Sequence, residues 1–441
     1  MKRGSILLFK KISLTLLLIL ALYAIGRISV VSYDSYRHIP RQPYLQMQTY
    51  DSIRIKWQSP TSEIGCIKYG KNAADTKICE STQTDKHTIT VNGLEEGHTY
   101  IYEVFSDSLD INNTNRHFTT LHKDKQKKQN IWIIGDSGQA GPGQRQVLQS
   151  MQTYMKDKAL DLWLLLGDNA YRSGTQEQYT KALFEPYKEL LKTNVPWAVI
   201  GNHDARRWAF YDIFDFPSEA ESGGIPSHNK KFYSIEQGDL HILMIDSETA
   251  DLSKDSDLLQ WLEKDLQANT KKWTAAIFHH PPYTHGGHNS DNPRDSHYKF
   301  SMTGRLFLVR ENIIPVLEKY DVDLVYSGHS HVYERSKLIH KHYQDSTHFD
   351  PKLHVVQDNN STYCKNLEKT PYAGTVYTVM GSSSKLDKGS LNHPALPIAY
   401  EKMGSVILEV SPETLRSSFI SIDGKIEDSF SLYKKESCAN L

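Results

Sequence analysis

The sequence predicts a mixed α/β protein, in which an N-terminal β-sandwich precedes a larger domain of two β-sheets flanked by helices. Two observations predict this division of the 441 residues. Up to about residue 121, apolar and polar residues alternate along short segments, a pattern typical of strands with one buried face. From about residue 130, uninterrupted apolar runs alternate with helical patterns, and such runs are typical of strands buried on both faces.

The first segment of the chain is typical of an export signal or an anchor. An apolar run extends from Ile12 to Gly26, where Arg27 interrupts it, and its positive flank consists of Lys2, Arg3, Lys10 and Lys11. Residues 1–33 are therefore predicted to be a signal peptide cleaved near Gly26, or a retained N-terminal membrane anchor. Under either alternative the positive flank stays inside, so the rest of the chain is secreted, periplasmic or anchored facing outward.

Charge and cysteine content narrow the possible partners and the compartment. The 51 Lys and Arg nearly balance the 52 Asp and Glu, which gives no electrostatic case for nucleic-acid binding. An even number of cysteines in an exported chain permits two disulfides. Cys66 and Cys79 lie in one β region, and Cys438 near the C-terminus could pair with Cys364; free buried thiols are the alternative.

A β-sandwich is predicted over residues 43–121. In "DSIRIKWQSP" (51–60) the apolar residues Ile53, Ile55 and Trp57 alternate with polar ones, and further short strands follow between turn signals. The spacing of Leu94, Gly97 and Tyr100 resembles the tyrosine corner of fibronectin type III domains. The charged segment "HKDKQKKQ" (122–129) is predicted to be the boundary with the next domain.

The second domain is predicted over residues 130–433. Its apolar runs include "IWIIGDSG", "LWLLLGDN", "WAVIGNHD", "AAIFHHPP" and "DLVYSGHSH", each ending in small and polar residues. Helical patterns fit between the runs at about 144–158, 175–192, 256–268 and 308–319, and closing strands follow residue 404.

Carboxylate, amide and imidazole side chains follow the strand ends, where ligands bind in α/β sheets. Such oxygen and nitrogen donors suit hard or borderline metals, and two metals sharing a carboxylate can clamp both oxygens of a phosphoryl transfer. The two-residue spacing of His329 and His331 would put both on one face of a strand and suit chelation. The set is Asp136, Asp168, Tyr171, Asn202, His203, Asp204, Asp246, His279, His280, His329 and His331.

Five short motifs carry a family resemblance. They are "GDSG" (135–138), "GDNAY" (167–171), "GNHD" (201–204), "FHHP" (278–281) and "GHSH" (328–331). Together they resemble the signature of metallophosphoesterases of the calcineurin-like superfamily. The tyrosine that ends "GDNAY", the tail of "GHSHVYER" and the preceding fibronectin III-like sandwich resemble the purple acid phosphatase branch, and the likeness covers about residues 43–433.

The resemblance implies two metal sites that share Asp168. One would hold Fe³⁺, and its ligands would be Asp136, Asp168, Tyr171 and His331. The other would hold a divalent Fe, Zn or Mn, and its ligands would be Asp168, Asn202, His279 and His329. His279 is preferred to His280 because only His279 gives the family spacing to Pro281. A phenolate from Tyr171 would stabilise Fe³⁺, which acidifies bound water more than a divalent ion does.

The implied activity is that of an exported, metal-dependent acid phosphatase. A metal-bound hydroxide would attack a small phosphate monoester in line, His203 would bind the phosphate, and His288, favoured over His285, would protonate the leaving alkoxide. Both histidines could instead be idle. The alternatives are a phosphodiesterase or nucleotide pyrophosphatase with the same centre, a phosphatase of two divalent metals in which Tyr171 is idle, and a non-catalytic adhesion module.

Three further features are interpreted as structural. "SSS" (382–384) lacks the glycines of a nucleophile elbow and so gives little support to serine hydrolysis. Glu334 and Arg335 are predicted to pair with each other, and Asp246 is predicted to support the fold or the site from outside the ligand set.

Overall fold

The computed structural model describes residues 2–292 and 304–438, with side chains described from residue 15 onward except at 35 and 36. Helix α1 (Lys2–Tyr36) contains a window, Thr15–Asp34, that is long and apolar enough to span a membrane and is not buried against the rest of the protein. A signal sequence has the same properties, so both alternatives for residues 1–33 stay open. The side chains of the positive flank lie outside the described set.

The predicted β-sandwich is confirmed. One sheet has the order β1-β2-β5 and the other β4-β3-β6-β7. The strands are β1 (Arg41–Gln46), β2 (Ser52–Glu63), β3 (Cys66–Gly70), β4 (Thr76–Cys79), β5 (Thr84–Asn92), β6 (Thr99–Phe105) and β7 (His117–Thr119). Tyr100 accepts a hydrogen bond from the Glu95 backbone N–H at 2.9 Å, as its spacing predicts, and Cys66 forms a disulfide with Cys79. The likeness to fibronectin type III domains and the domain boundaries stay predictions.

The predicted α/β part consists of two seven-stranded sheets. The first has the order β10-β9-β8-β21-β22-β23-β18. Its strands are β8 (Gln129–Ile134), β9 (Leu162–Leu165), β10 (Pro196–Ala198), β18 (Thr362–Asn366), β21 (Gly404–Val410), β22 (Thr414–Ser421) and β23 (Ile426–Lys435). The closing strands predicted after residue 404 are therefore part of this sheet. Cys364 on β18 forms a disulfide with Cys438, which ties the C-terminal segment to the sheet.

The second sheet has the order β11-β12-β13-β14-β19-β15-β20. Its strands are β11 (Phe232–Gln237), β12 (Leu240–Ile245), β13 (Trp273–Phe278), β14 (Leu324–Ser327), β15 (Tyr333–Arg335), β19 (Val376–Met380) and β20 (Ile398–Tyr400). β16 (Leu338–Ile339) and β17 (Val355–Gln357) form a separate pair. β12, β13, β14 and β19 are parallel to one another, and β8, β9 and β10 are parallel in the first sheet.

Three of the four predicted helices match observed ones within a few residues. They are α2 (Pro142–Met155), α5 (Asp257–Ala268) and the run formed by α6 (Arg305–Leu308), a π-helical turn (Val309–Ile313) and α7 (Ile314–Lys319). The short helices are α3 (Gln176–Tyr179), α4 (Ala209–Ile213) and α8 (Pro351–His354).

The prediction of one helix over 175–192 is wrong. α3 continues into a π-helical turn at Thr180–Phe184, and regular helix then stops until a 3₁₀ turn at Leu190–Lys192. The interruption falls at Pro186, which has no backbone N–H to continue the helical hydrogen bonds.

Candidate metal centre

All seven residues predicted to be metal ligands lie just beyond the carboxyl ends of parallel strands. Asp136 follows β8, Asp168 and Tyr171 follow β9, and Asn202 follows β10. In the second sheet, His279 follows β13, and His329 and His331 follow β14. All seven are buried, and the structure brings them together into two groups that flank Asp168.

The first group consists of Asp136, Tyr171 and His331. The phenol O–H of Tyr171 donates to Asp136 Oδ1 at 2.8 Å and lies 3.1 Å from His331 Nε2. His331 Nε2 is in turn 3.3 Å from Asp136 Oδ1. Three potential ligand atoms from three different loops therefore converge on one point.

The second group consists of Asn202, His279 and His329. Asn202 Oδ1 lies 3.1 Å from His279 Nε2 and 3.1 Å from His329 Nδ1. The two imidazole nitrogens are 3.3 Å apart. This group repeats the triangular arrangement of the first.

Asp168 lies between the two groups. Its Oδ1 is 3.6 Å from His279 Nε2 and accepts a hydrogen bond from the His203 backbone N–H at 2.8 Å. Ligand atoms of Asp136, Asp168 and His279 all lie within 4.8 Å of one another. A carboxylate in this position can reach ions in both groups.

The separations within each group fit a bound metal. Ligand atoms at about 2.1 Å from one ion are themselves about 3.0–3.4 Å apart for octahedral or tetrahedral angles. The observed separations of 2.8, 3.1 and 3.3 Å in the first group and 3.1, 3.1 and 3.3 Å in the second are close to that range.

The position of one proton gives a second test of the fit. His279 Nδ1 is 2.9 Å from the Leu166 carbonyl, which can only accept, so Nδ1 carries a proton. This leaves Nε2, which lies 3.1 Å from Asn202 Oδ1, as the ring nitrogen that would coordinate a metal. A carbonyl that fixes the other nitrogen of an imidazole in this way is typical of metal-binding histidines.

The first group holds protons where a metal would bind. Burial, and to a smaller extent the negative charges of Asp136 and Asp168, raise the pKa of Tyr171 well above its ordinary value. The phenol therefore stays protonated without a metal. Burial lowers the pKa of His331, but hydrogen bonds to Asp136 and Asp387 outweigh it and raise that pKa to about 9. A metal must displace these protons, so binding here depends on pH.

His203 and His288 lie beside the two groups, whereas His285 lies in a separate polar cluster. His203 Nδ1 donates to the Arg172 carbonyl at 2.7 Å, and its Nε2 lies 3.8 Å from Asp168 Oδ2. The His288 ring stacks on the His329 ring with centroids 3.9 Å apart. His285 is 2.8 Å from Asp291 Oδ2 through Nε2 and 2.8 Å from Asn392 Oδ1 through Nδ1, in a separate polar cluster.

His280 also lies near the centre, but its neighbours differ from those of His279. Its Nδ1 is 2.9 Å from Ser247 Oγ, and its Nε2 is 3.5 Å from Glu248 Oε2. Its ring centroid is 4.6 Å from that of His329. His279 is the one that contacts Asn202 and Asp168.

Asp204 organises two of the ligand loops, a role that the sequence did not indicate. Its carboxylate is fully buried and accepts hydrogen bonds from the backbone N–H groups of Asn169, Ala170 and Gly201 at 3.0–3.2 Å. It also accepts one from the Tyr179 O–H at 2.7 Å. The loops carrying Asp168 and Asn202 are therefore joined through one side chain. Asp246 likewise supports its own loop, accepting from the Glu248 and Thr249 backbone N–H groups.

Two interpretations of the sequence are wrong. β14 ends at Ser327, and His329 has a φ of 68°, so His329 and His331 do not share the face of a strand but serve different groups. Glu334 and Arg335 do not pair, because neighbouring residues of a strand point to opposite sides. Glu334 accepts from the His285 backbone N–H at 3.0 Å, whereas Arg335 donates to Asp428 Oδ1 at 3.0 Å.

Comparisons with known proteins agree with this geometry. Residues 129–333 match the family model described as calcineurin-like phosphoesterase. The chain is 24% identical over 333 residues to purple acid phosphatase 22 of Arabidopsis thaliana, covering 71% of this chain and 70% of that protein. It is 26% identical over 262 residues to acid phosphatase type 7 of Mus musculus, covering 56% of each.

Solved structures share the fold. A purple acid phosphatase from yellow lupin (Lupinus luteus) seeds has a TM-score of 0.69 at 17% identity and covers 92% of this chain and 77% of its own. The structure of PhoD has a TM-score of 0.59 at 12% identity and covers 86% of each chain. At these identities the likeness concerns the fold alone.

Proposed function

We propose that this chain, a metal-dependent phosphoesterase of the calcineurin-like type, is an exported acid phosphatase. It is similar to the purple acid phosphatases and would hydrolyse phosphate monoesters at a two-metal centre. The observation that carries the proposal is the pair of triangular donor groups on either side of Asp168. Their donor types and spacings suit two ions of hard or borderline character.

The two groups would hold different metals. Asp136, Asp168, Tyr171 and His331 would hold Fe³⁺, because a phenolate oxygen together with two carboxylates favours a trivalent ion. Asp168, Asn202, His279 and His329 would hold a divalent Fe, Zn or Mn. When bound, the ions would neutralise the phosphate oxygens and provide a nucleophile at acidic pH.

His203 would bind and orient the phosphate. Its Nδ1–H is held by the Arg172 carbonyl, so the ring is fixed with Nε2 toward Asp168, and the side chain is 23% exposed. A phosphate above the centre would therefore meet Nε2 of a ring that cannot turn freely. Because Nδ1–H is committed to a carbonyl, Nε2 would donate to a phosphate in the protonated ring, and a phosphate anion bound beside it favours that protonation. A fixed donor of this kind stabilises charge that develops in a transition state.

His288 would protonate the leaving alkoxide. It stacks on His329 at the centre, whereas His285 is engaged with Asp291 and Asn392. A general acid has to lie within hydrogen-bonding reach of the leaving oxygen, which favours His288 on position.

Export is supported by two features of the chain. Helix α1 is apolar and not buried, and the two disulfides are of the kind that persists in oxidising compartments. Helix α1 would then be a signal peptide or an outward-facing membrane anchor.

The test combines metal content, colour and substrate preference. We expect purified protein to contain two metal ions per chain, one of them iron, and to absorb visible light through the phenolate bound to Fe³⁺. We also expect p-nitrophenyl phosphate to be hydrolysed faster than bis(p-nitrophenyl) phosphate near pH 5. A colourless but active enzyme would disprove the iron assignment, and a faster diester reaction would identify a phosphodiesterase.

A further inference from the structure

A lysine lies over the ring of the predicted tyrosine ligand. Lys385 Nζ is 3.7 Å from the centroid of the Tyr171 ring. The His203 ring contacts the same phenol, with centroids 4.5 Å apart and planes at 64°. Both Lys385 and His203 are partly exposed, so two side chains that can carry positive charge adjoin one ring near the surface.

Lys385 has no ion-pair partner among the described residues. Among residues 15–292 and 304–438, no carboxylate oxygen lies within 4.0 Å of its Nζ; the nearby carboxylate of Asp387 is paired with His331 Nδ1 instead. An unpaired ammonium group beside a catalytic centre attracts anions.

The loop that carries Lys385 is hydrogen-bonded to the loop that carries Asp136. Ser383 Oγ accepts from the Gly135 backbone N–H at 3.2 Å and donates to the Gly404 carbonyl at 3.0 Å. Ser384 Oγ donates to the Asp136 carbonyl and accepts from the Gln139 backbone N–H. Ser383 and Ser384, from the segment that gives little support to serine hydrolysis, therefore hold this loop by hydrogen bonds and place Lys385 in a defined position.

The other end of the Lys385 loop contacts His331. The Asp387 backbone N–H donates to the His331 carbonyl at 3.2 Å, and its carboxylate contacts His331 Nδ1. Lys385 therefore lies between two residues of its loop that contact the first donor group, Ser384 at Asp136 and Asp387 at His331. A side chain on a fixed loop loses less conformational entropy when it binds a ligand than one on a free loop.

We propose that Lys385 and His203 form a phosphate subsite that selects the dianionic terminal phosphate of a monoester over a diester. The inference rests on the proposed function, because it assigns the substrate class of that same centre. A monoester has two ionisable oxygens, and its second pKa is about 6. A diester carries one negative charge and has an ester group in place of the second ionisable oxygen, so it offers the centre one unit of negative charge fewer than the monoester dianion.

Lys385→Met tests the subsite, because methionine keeps the unbranched stem but has no charge. At pH 7, where the monoester is mainly a dianion, we expect kcat/KM for p-nitrophenyl phosphate to fall about 10- to 50-fold, as is typical for the loss of a charge-assisted hydrogen bond. We expect kcat/KM for bis(p-nitrophenyl) phosphate at the same pH to change less than about threefold, since the single charge of a diester would be neutralised by the metals. Lys385→Arg should keep most of the monoester activity, because the charge is retained.

Lys388→Met is the matched control. Lys388 lies three residues further along the same loop and is exposed, so its loss should leave both rates unchanged. Circular dichroism of each variant would show that the fold persists. If Lys385→Met lowers both rates equally, or lowers neither, the proposed selection is disproved.

Phosphate binding separates this inference from the proposed function. Calorimetric titration of the metal-loaded protein with inorganic phosphate should give a Kd that is at least about 10-fold weaker for Lys385→Met than for the unmodified chain. This result would support the subsite even if neither ester were hydrolysed, in which case the phosphatase assignment alone would fail. Equal Kd values would disprove the subsite whatever the enzyme activity.

Discussion

The phenol of Tyr171 donates a hydrogen bond to Asp136 Oδ1 at 2.8 Å, which places its oxygen among the ligand atoms of the first donor group. β8 and β9, the strands that precede these two residues, are adjacent and parallel, so their ends deliver both side chains to one point. The function of Tyr171 can be tested separately from that of the other ligands, because phenylalanine has almost the same shape.

Tyr171→Phe should abolish the visible absorption while the protein still folds. The substitution removes the phenolate but keeps the ring that contacts His203 and Lys385. The lost hydrogen bond to Asp136 should lower the free energy of unfolding by about 1–2 kcal/mol. A visible spectrum and a thermal melt of both proteins would measure this, and a variant that kept the colour would show that Tyr171 is not the ligand responsible.

The stability of the metal-free chain should fall as pH rises through about 9, because the folded-state pKa of His331 is raised to about 9. Its unfolded value is about 6.5, so the stabilisation is complete below pH 6.5 and is lost as pH rises through the folded value. The loss should be roughly 2–3 kcal/mol, with the pH dependence removed in His331→Gln. Urea unfolding between pH 6 and 10 after chelation would measure it. A flat profile for the unmodified chain would contradict the prediction.

Asp204→Asn should destabilise the protein and weaken metal binding. The Asp204 carboxylate accepts hydrogen bonds from three backbone N–H groups, the Asn169 side-chain amide and the Tyr179 O–H. The NH₂ group of an asparagine at this position would face some of these donors and leave them without an acceptor. Buried unsatisfied groups cost about 1–3 kcal/mol each. Chemical unfolding and metal content per chain are the measurements. The control is Asp212→Asn, since that residue lies on α4, outside the donor groups.

His288→Ala and His285→Ala should differ in their effect on catalysis. Loss of His288 should lower kcat by roughly 10²- to 10⁴-fold for substrates with poor leaving groups, as is typical for the loss of general acid catalysis. The effect should be smaller for p-nitrophenyl phosphate, because its leaving group needs little protonation. His285→Ala should mainly alter stability, since its contacts are with Asp291 and Asn392. A larger catalytic loss for His285→Ala would reverse the two assignments.

The sequence predicts the loops of the centre well because each one directly follows a continuous apolar strand, and parallel strands end at a common edge. It does not predict which side chains meet across the two sheets. Lys385 lies over a ring that is 214 residues earlier in the chain, in a loop without a motif. The left-handed backbone conformation at His329 cannot be predicted from residue spacing either. Because of it, His329 and His331 do not share one face of a strand.

Helices were predictable where periodicity is long and uninterrupted, as in α2 and α5. The predicted helix at 175–192 is wrong because the apolar pattern continues across Pro186, whereas the regular helix does not. Asp204 belongs to a recognisable motif, yet its role depends on donors from loops far apart in the chain. Hydrogen bonds that join a buried carboxylate to loops distant in sequence cannot be predicted from residue spacing.

The position of β21 has a consequence for biosynthesis. β8, which presents Asp136, lies between β9 and β21, and β21 ends at Val410. The sheet under the first donor group is therefore incomplete until the chain has been synthesised through residue 410, since the ribosome releases the N-terminal end first. Under the proposed function, metal insertion into the finished geometry would therefore follow the addition of β21 to the sheet.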